Sequence, residues 1–261
     1  MTKVSNTSEF SKTNEKTSSG FGKYDLRDGL ILNLPNNIIT LHNLGDGKFS
    51  YIRNSQNETI KKIIQVTPNT HKIELAPVLP IHVPSYKTDF FFLRFEDPLF
   101  IAENSTMETL VSFPIEIGLF LVGQNKPSGF DFFSCDPSNS RFGLYGTPED
   151  GRLCKYATVS LDGKRIVMQP FINAQLKIEI VNELNESAYV GKVVFPVTDH
   201  DLYYGDGEVR IDSLRAIIKN RVGLHVTETV QNPITKPANW NLASRDAEKT
   251  DYKFSMERGF D

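Results

Sequence analysis

Between residues 174 and 181 the chain reads AQLKIEIV, with Leu176, Ile178 and Ile180 at one phase and Lys177, Glu179 and Val181 at the other. Side chains of an extended strand alternate between its two faces, so this pattern buries one face and leaves the other wet. The same period of two recurs in short runs along most of the chain. LILNLP, NIITLHNL and KFSYIR are bounded by Asp-Gly, Pro-Asn-Asn and Gly-Asp-Gly, the punctuation of hairpins. After Gly123 come FDFFS, RFGLYG, RLCKYATVSL, KRIVMQPF and YVGKVVFPV with similar spacing. Many brief extended segments bury their apolar faces by stacking sheets on a shared interior. The predicted fold class is therefore all-β: a β-sandwich-like arrangement of two packed antiparallel subdomains with Greek-key-like connections and one short helix.

At 261 residues the chain accommodates one large β domain or two smaller ones. Eighteen Phe and nine Tyr against one Trp favour strands and predict a core rich in phenylalanine. TDFFFLRFEDPLFIAENS and METLVSFPIEIGLFLV carry the long apolar runs of strands covered on both sides, and they are expected at the middle of that core. ETIKKIIQV has helical spacing, but its β-branched residues favour a strand. LAPVLPIHVP holds Pro77, Pro80 and Pro84, which suits an edge or an extended crossover and excludes a central strand. The predicted helix is SLRAIIKNRVG, with Ser213 as N-cap, Leu214, Ile217 and Ile218 on one stripe, and Gly223 as the stop.

Residues 1–19, rich in Ser, Thr, Asn and Lys, read as a disordered polar tail. Residues 20–235 form the globular region, with a seam between subdomains expected near 123–165, and residues 236–261 read as a loosely attached C-terminal tail. Trp240 in that tail either anchors it to the body or contacts a partner. VSFPIEIGLFL and KVVFPVTDHDLYY each present a strand broken by Phe-Pro, a hint of tandem sandwiches.

A formal charge of −3 and a pI near 6.0 offer a polyanion no general attraction, and no basic run compensates, so nucleic acid is not expected as a partner. No apolar window of about 18 residues is present, so no membrane insertion is expected. The first residues are polar where a signal peptide would carry an apolar stretch, and the expected location is the cytoplasm. Cys135 and Cys154 are too few for a disulfide framework; reduced, buried thiols are the preferred reading and a single bridge the alternative.

Two segments concentrate candidate chemistry. RFGLYGTPEDGRLCKY, residues 141–156, lacks the spacing of a phosphate-binding or dinucleotide loop and the helix that must follow one. Its Pro148 and Gly151 suit a tight turn between strands. The alternative is a ligand-contacting loop, and Tyr145, Glu149, Asp150 and Arg152 are the residues that would line it. TDHDLYYGDGE crowds Asp199, Asp201, Asp206 and Glu208 into ten positions. One reading is a solvated hairpin turn around Gly205-Asp206-Gly207; the other is a hard-cation site in which those four carboxylates hold calcium. Glu149, Asp150, Asp199 and Asp201 are also the carboxylates that could pair for glycoside hydrolysis. The five histidines, at positions 42, 71, 82, 200 and 225, show no metal-binding spacing, and no G-x-S-x-G elbow is present.

Three runs, Pro98 to Ile101, Phe113 to Gly118 and Leu144 to Tyr156, resemble the archaeal proteins grouped as domain of unknown function family 432. The last run, Leu-Tyr-Gly-x-Pro-x-x-Gly-x-x-Cys-Lys-Tyr, is the most specific, and the resemblance spans residues 20 to about 235. It implies an intracellular protein of no assigned activity and carries over no catalytic residue. Genes of some members lie near small mechanosensitive channels, which implies a membrane-associated protein partner. The expected function is a non-catalytic binding or scaffold module that uses loops at one end of a sandwich or an exposed strand edge. The rival expectation is a hydrolase or carbohydrate-active enzyme built on the acidic loop at 199–208.

Overall fold

A computed structural model of the chain describes residues 16–26, 29–67, 72–84, 86–123, 126–138, 141–146, 151–161, 168–221 and 224–245. Among these residues the secondary structure is β-strand apart from one turn of 3-10 helix, Val197–Asp199. The first half of the chain supplies β1 (Lys16–Ser18), β2 (Gly22–Asp25), β3 (Leu30–Leu34), β4 (Asn37–Gly45), β5 (Lys48–Ser55), β6 (Thr59–Gln65), β7 (Lys72–Val78), β8 (Phe90–Ile101), β9 (Ser105–Pro114) and β10 (Glu116–Val122). The second half supplies β11 (Ser128–Phe133), β12 (Arg141–Tyr145), β13 (Arg152–Val159), β14 (Asn173–Asn182), β15 (Ala188–Pro196), β16 (Leu202–Gly205), β17 (Glu208–Ile211), β18 (Ser213–Arg221), β19 (Leu224–Asn232) and β20 (Asn241–Leu242).

These strands form four sheets, ordered β1-β3-β4-β5-β6, β11-β10-β7-β2, β12-β13-β8-β15 and β19-β18-β14-β17-β16-β20, with β9 added along β14. The first two sheets enclose one core, in which Leu32, Leu41, Phe49 and Tyr51 meet Ile73, Leu75, Ile117 and Leu119. The last two enclose the other, built on Phe91, Leu93, Phe113, Leu176, Ile178, Ile180 and Phe195. The architecture is thus two packed β-sandwiches with a phenylalanine-rich interior.

The sheet containing β7 and β10 lies between the two cores. Ile73 and Leu75 face the first core, whereas Ala76 and Val78 face the second; on β10, Ile117 and Leu119 face the first and Phe120 the second. Both strands therefore read as nearly continuous apolar runs, as expected of strands covered on both sides. Gly118 belongs to this close packing, because a Cβ there would stand 2.6 Å from the Phe120 ring and 2.8 Å from Val78. The chain crosses between sandwiches after Val78, again at Ile115 and again after Cys135, and Phe171 returns once more to the first core, so the two units interleave in sequence.

Where the sequence predicts a helix at 213–222, the described part, Ser213–Arg221, is a strand. Leu214, Ala216 and Ile218 are buried in alternation, and β18 pairs in parallel with β14 and antiparallel with β19. Partnered on both sides, the segment satisfies its backbone in a ladder, and the period of two outweighs the helical spacing of Leu214, Ile217 and Ile218. Gly223, its expected stop, lies outside the described residues. The proline-rich segment also departs from expectation: β7, including Pro77, is internal to its sheet. β2 pairs only with residues 72–75, so Pro77 lies past its end and has a ladder on the β10 side alone. That position spares Pro77 one set of strand donors.

The ends are tied down further than composition suggests. Lys16–Ser18 pair in parallel with β3. Trp240 is 5% exposed, Arg210 lies over its ring at 4.7 Å, and Gly205 makes room for it. The first half of KRIVMQPF, residues 164–167, lies outside the described residues; the second half is described, forms no strand and buries Phe171 in the first core. Among the described residues, no helix is long and apolar enough to cross a membrane.

Candidate functional site

In β5, Phe49, Tyr51 and Arg53 occupy successive inward positions, so a guanidinium stands where the pattern calls for an apolar group. In β11, Asp131 and Phe133 do the same. The two charges meet: Arg53 donates from Nε to Asp131 Oδ2 at 2.8 Å and from its second terminal nitrogen to Glu58 at 2.9 Å. Lys62 donates to Asp131 Oδ1 at 3.0 Å, and the Tyr51 hydroxyl donates to the same carboxylate. The Arg53 guanidinium also lies over the Phe133 ring at 4.7 Å. Burial alone would raise the Asp131 carboxyl, but hydrogen bonds from Tyr51, Arg53 and Lys62 outweigh it and hold it below the usual carboxylate value. Burial and the Asp131 charge together push the Tyr51 phenol up, so it stays a donor.

Arg53 and Glu58 of this cluster line a cavity of about 220 Å³ at the loop end of the first sandwich. Its walls are the turn at Asn36, which takes φ 58 between β3 and β4, the turn at residues 55–58 between β5 and β6, the end of β11, and Val83. Asn36 donates to the Cys135 carbonyl at 3.2 Å and accepts from Gln56 at 3.3 Å, tying the three loops to one another. Asn37 accepts from Arg53 at 3.4 Å. Cys135, beside it, is free; burial raises its thiol to about 12, partly offset by Asn37, so it is no nucleophile near neutral pH.

A second polar assembly holds Val83 in place. Glu116 on β10 and Lys155 on β13 join across the seam at 2.7 Å, each side chain 3% exposed. Glu116 also accepts from the backbone N–H groups of His82 at 2.7 Å and Val83 at 3.2 Å, and Lys155 donates to the Val83 carbonyl. Glu74, another carboxylate on the middle sheet, accepts from Tyr204 at 3.0 Å and Ser244 at 2.8 Å in the second sandwich.

The residues singled out from sequence lie elsewhere. Tyr145 and Arg152 are cross-strand partners at the end of the β12–β13 hairpin. Arg152 lies over the Phe90 ring at 4.0 Å, Lys192 lies near Phe92, and Phe92 stacks on Tyr156 at 4.8 Å with Tyr145 tilted beside it. Rings and cations on this face are engaged with one another, which leaves Phe92 only 6% exposed. Glu149 and Asp150 lie outside the described residues. Cys154, farther along the hairpin, is free and buried, and burial raises its thiol.

In the acidic run, Asp206 at φ 52 and Gly207 at φ 79 form the two-residue turn of the β16–β17 hairpin. Glu208 pairs with Arg210 at 3.2 Å, and Asp201 with Arg245 at 2.5 Å. Asp199 closes the 3-10 turn. Among the described residues, no three His, Cys, Asp or Glu side chains gather so as to hold a metal ion. The acidic residue this region buries is one the spacing did not flag: Asp212, fully buried, accepts from the backbone of Asp201 and Ile234 and from Gln231. Arg53, Asp131, Glu116 and Lys155 were likewise passed over. Their signal was a charge at the inward phase of an apolar strand, which is informative because such charges are rarely buried unpaired.

The fold and cavity define a protein of two interleaved β-sandwiches, the first of which carries a polar, loop-built recess. The chain belongs to the family described as Protein of unknown function (DUF432), whose model matches residues 20–257. No curated protein and no solved structure gives a significant match.

Proposed function

We propose that the protein is a non-catalytic binding module that takes a small ligand in the cavity at the loop end of its first sandwich. The observation that carries this reading is the cavity of about 220 Å³ set over an immobilised guanidinium. Loops held by a rigid sandwich are where binding sites collect, and a concave site with a few fixed polar groups is the usual form of a ligand pocket. Arg53 is fixed by Asp131 and Glu58, the turns are tied through Asn36, and Val83 is clamped by Glu116, so the recess exists before any ligand arrives. The buried ionisable groups in its wall and directly behind Arg53 favour binding over chemistry. Asp131 is held ionised and bonded to three donors, and Cys135 stays protonated, so neither is poised to exchange protons near neutral pH.

The test is a thermal-shift screen of small metabolites on the wild type and on Asn57→Trp, which fills the mouth of the cavity from an exposed loop position. A ligand that binds the folded state raises its melting temperature. The expected result is stabilisation of the wild type that disappears in Asn57→Trp. Ligands that stabilise both proteins equally would place binding elsewhere.

A further inference from the structure

We infer that the ligand of this cavity is an uncharged, polyhydroxylated ring, a single sugar or cyclic polyol. The inference rests on the cavity being the binding site proposed above and adds what the site selects.

Size sets the first limit. The cavity, about 220 Å³, falls below the roughly 300–1,000 Å³ of sites for drug-sized ligands, which leaves room for one ring.

Charge sets the second. Two cations, Arg53 and Lys62, are matched by two carboxylates, Asp131 and Glu58, at 2.8 to 3.0 Å. An anion entering the recess meets a guanidinium that already has Asp131 and Glu58 on two of its nitrogens, and a cation meets an Asp131 already bonded to Arg53 and Lys62, so the cluster presents no net charge to either. A charged ligand would give up hydration there without gaining an unmatched counter-charge. An uncharged ligand disturbs neither pair.

The remaining wall chemistry sets the third. The polar groups that line the recess beyond the charge cluster are the amides of Asn36, Asn37, Gln56 and Asn57 and the hydroxyls of Ser55 and Ser134. Amides and hydroxyls each offer both donor and acceptor capacity, as does every hydroxyl of a sugar ring. These groups already bond one another and the backbone, as Asn36 does with Cys135 and Gln56 and Ser55 with Glu58. A hydroxylated ring adds bonds at the donor and acceptor positions they leave open, which an analogue without hydroxyls does not. Val83, Phe132, Phe133 and Pro137 in the same lining supply apolar surface for the ring's C–H groups.

The test is isothermal titration calorimetry on the full chain with glucose, galactose, mannose, ribose and myo-inositol, set against sulfate, phosphate, citrate and arginine. At least one neutral probe should bind with a Kd of about 1 mM or tighter, with affinity unchanged between about 0.05 and about 0.5 M salt. Asn57→Trp should weaken it about tenfold or more, and Gln56→Ala, which trims an exposed amide without filling space, should weaken it measurably. Both variants should keep the wild-type circular dichroism. Binding of a charged probe alone, abolished by Asn57→Trp, would overturn the ligand class and leave the cavity as the site. Binding that neither variant changes, or no binding by any probe, would overturn both.

Discussion

Lys155→Met tests whether the buried ion pair holds the two sandwiches and the Val83 wall together. The substitution removes an ammonium while keeping a straight apolar chain in a site only 3% exposed. Glu116 then loses its charged partner at 2.7 Å but keeps the backbone donors of His82 and Val83. Breaking a buried pair from one side costs about 3–5 kcal/mol, and the two surviving donors place this variant near about 3 kcal/mol. Glu116→Leu costs more, about 5 kcal/mol, since it frees both backbone N–H groups and leaves the Lys155 ammonium with the Val83 carbonyl. In the double variant both charges leave together, so its loss should fall short of the sum of the singles by at least about 1.5 kcal/mol. Equilibrium urea unfolding followed by circular dichroism measures all four corners of the cycle. For a chain of this size, about 3 kcal/mol corresponds to a fall in Tm of about 6–12 °C. A Lys155→Met protein within about 0.5 kcal/mol of wild type, or a cycle additive to within about 0.5 kcal/mol, would refute the reasoning.

Asp131→Asn should destabilise by about 3 kcal/mol, because Arg53 and Lys62 are left without their shared carboxylate. The folded Asp131 pKa lies below its ordinary value, so the unfolded chain takes up the proton first: its stabilisation is full above about pH 4 and drains as pH falls toward the folded value. Urea titrations from pH 6 downward should show that slope reduced in the variant. His200, 1% exposed and with neither ring nitrogen in a well-formed hydrogen bond, is held below its ordinary pKa by burial, which Asp212 and the Pro196 backbone only partly offset. Its contribution is therefore full above about pH 6.5 and is lost as pH falls from there. His200→Phe should flatten stability between about pH 5 and 6.5, and an unchanged slope would count against this account. Trp240→Ala should cost about 3–5 kcal/mol in the same assay, the range for emptying a buried aromatic site; a loss under about 1 kcal/mol would mean that the tail is not an anchor.

Period two made the fold class legible, and particular strands show where that reading reached and where it failed. Leu176, Ile178 and Ile180 are all fully buried, as their phase requires. At β18, Leu214, Ile217 and Ile218 fit a helical stripe as well as the strand that formed, and only the neighbouring β14 and β19 decide between them. A local pattern carries no information about partners, so the sequence alone held both answers. Pro77 failed for a related reason: a strand can be central for part of its length and single-sided for the rest. The recess was less legible still, since it joins residues 36, 53, 83 and 133 from four separate strands or loops. The acidic run drew attention through local density, yet hairpin turns are dense in Asp and Gly for conformational reasons alone.

The middle sheet has a consequence for how this protein can be cut or assembled. β9 serves the second core, and β10, a single residue further on, serves both, so no one point of scission yields two intact halves. A nascent chain must emerge past residue 171 before the first core can close fully, and one side of its second layer stays bare until strands of the second sandwich cover it. Such interlacing favours one joint collapse over two sequential ones, with slow, long-range pairing as its kinetic cost. Ancestry by simple end-to-end fusion of two finished modules would also demand a later exchange of strands.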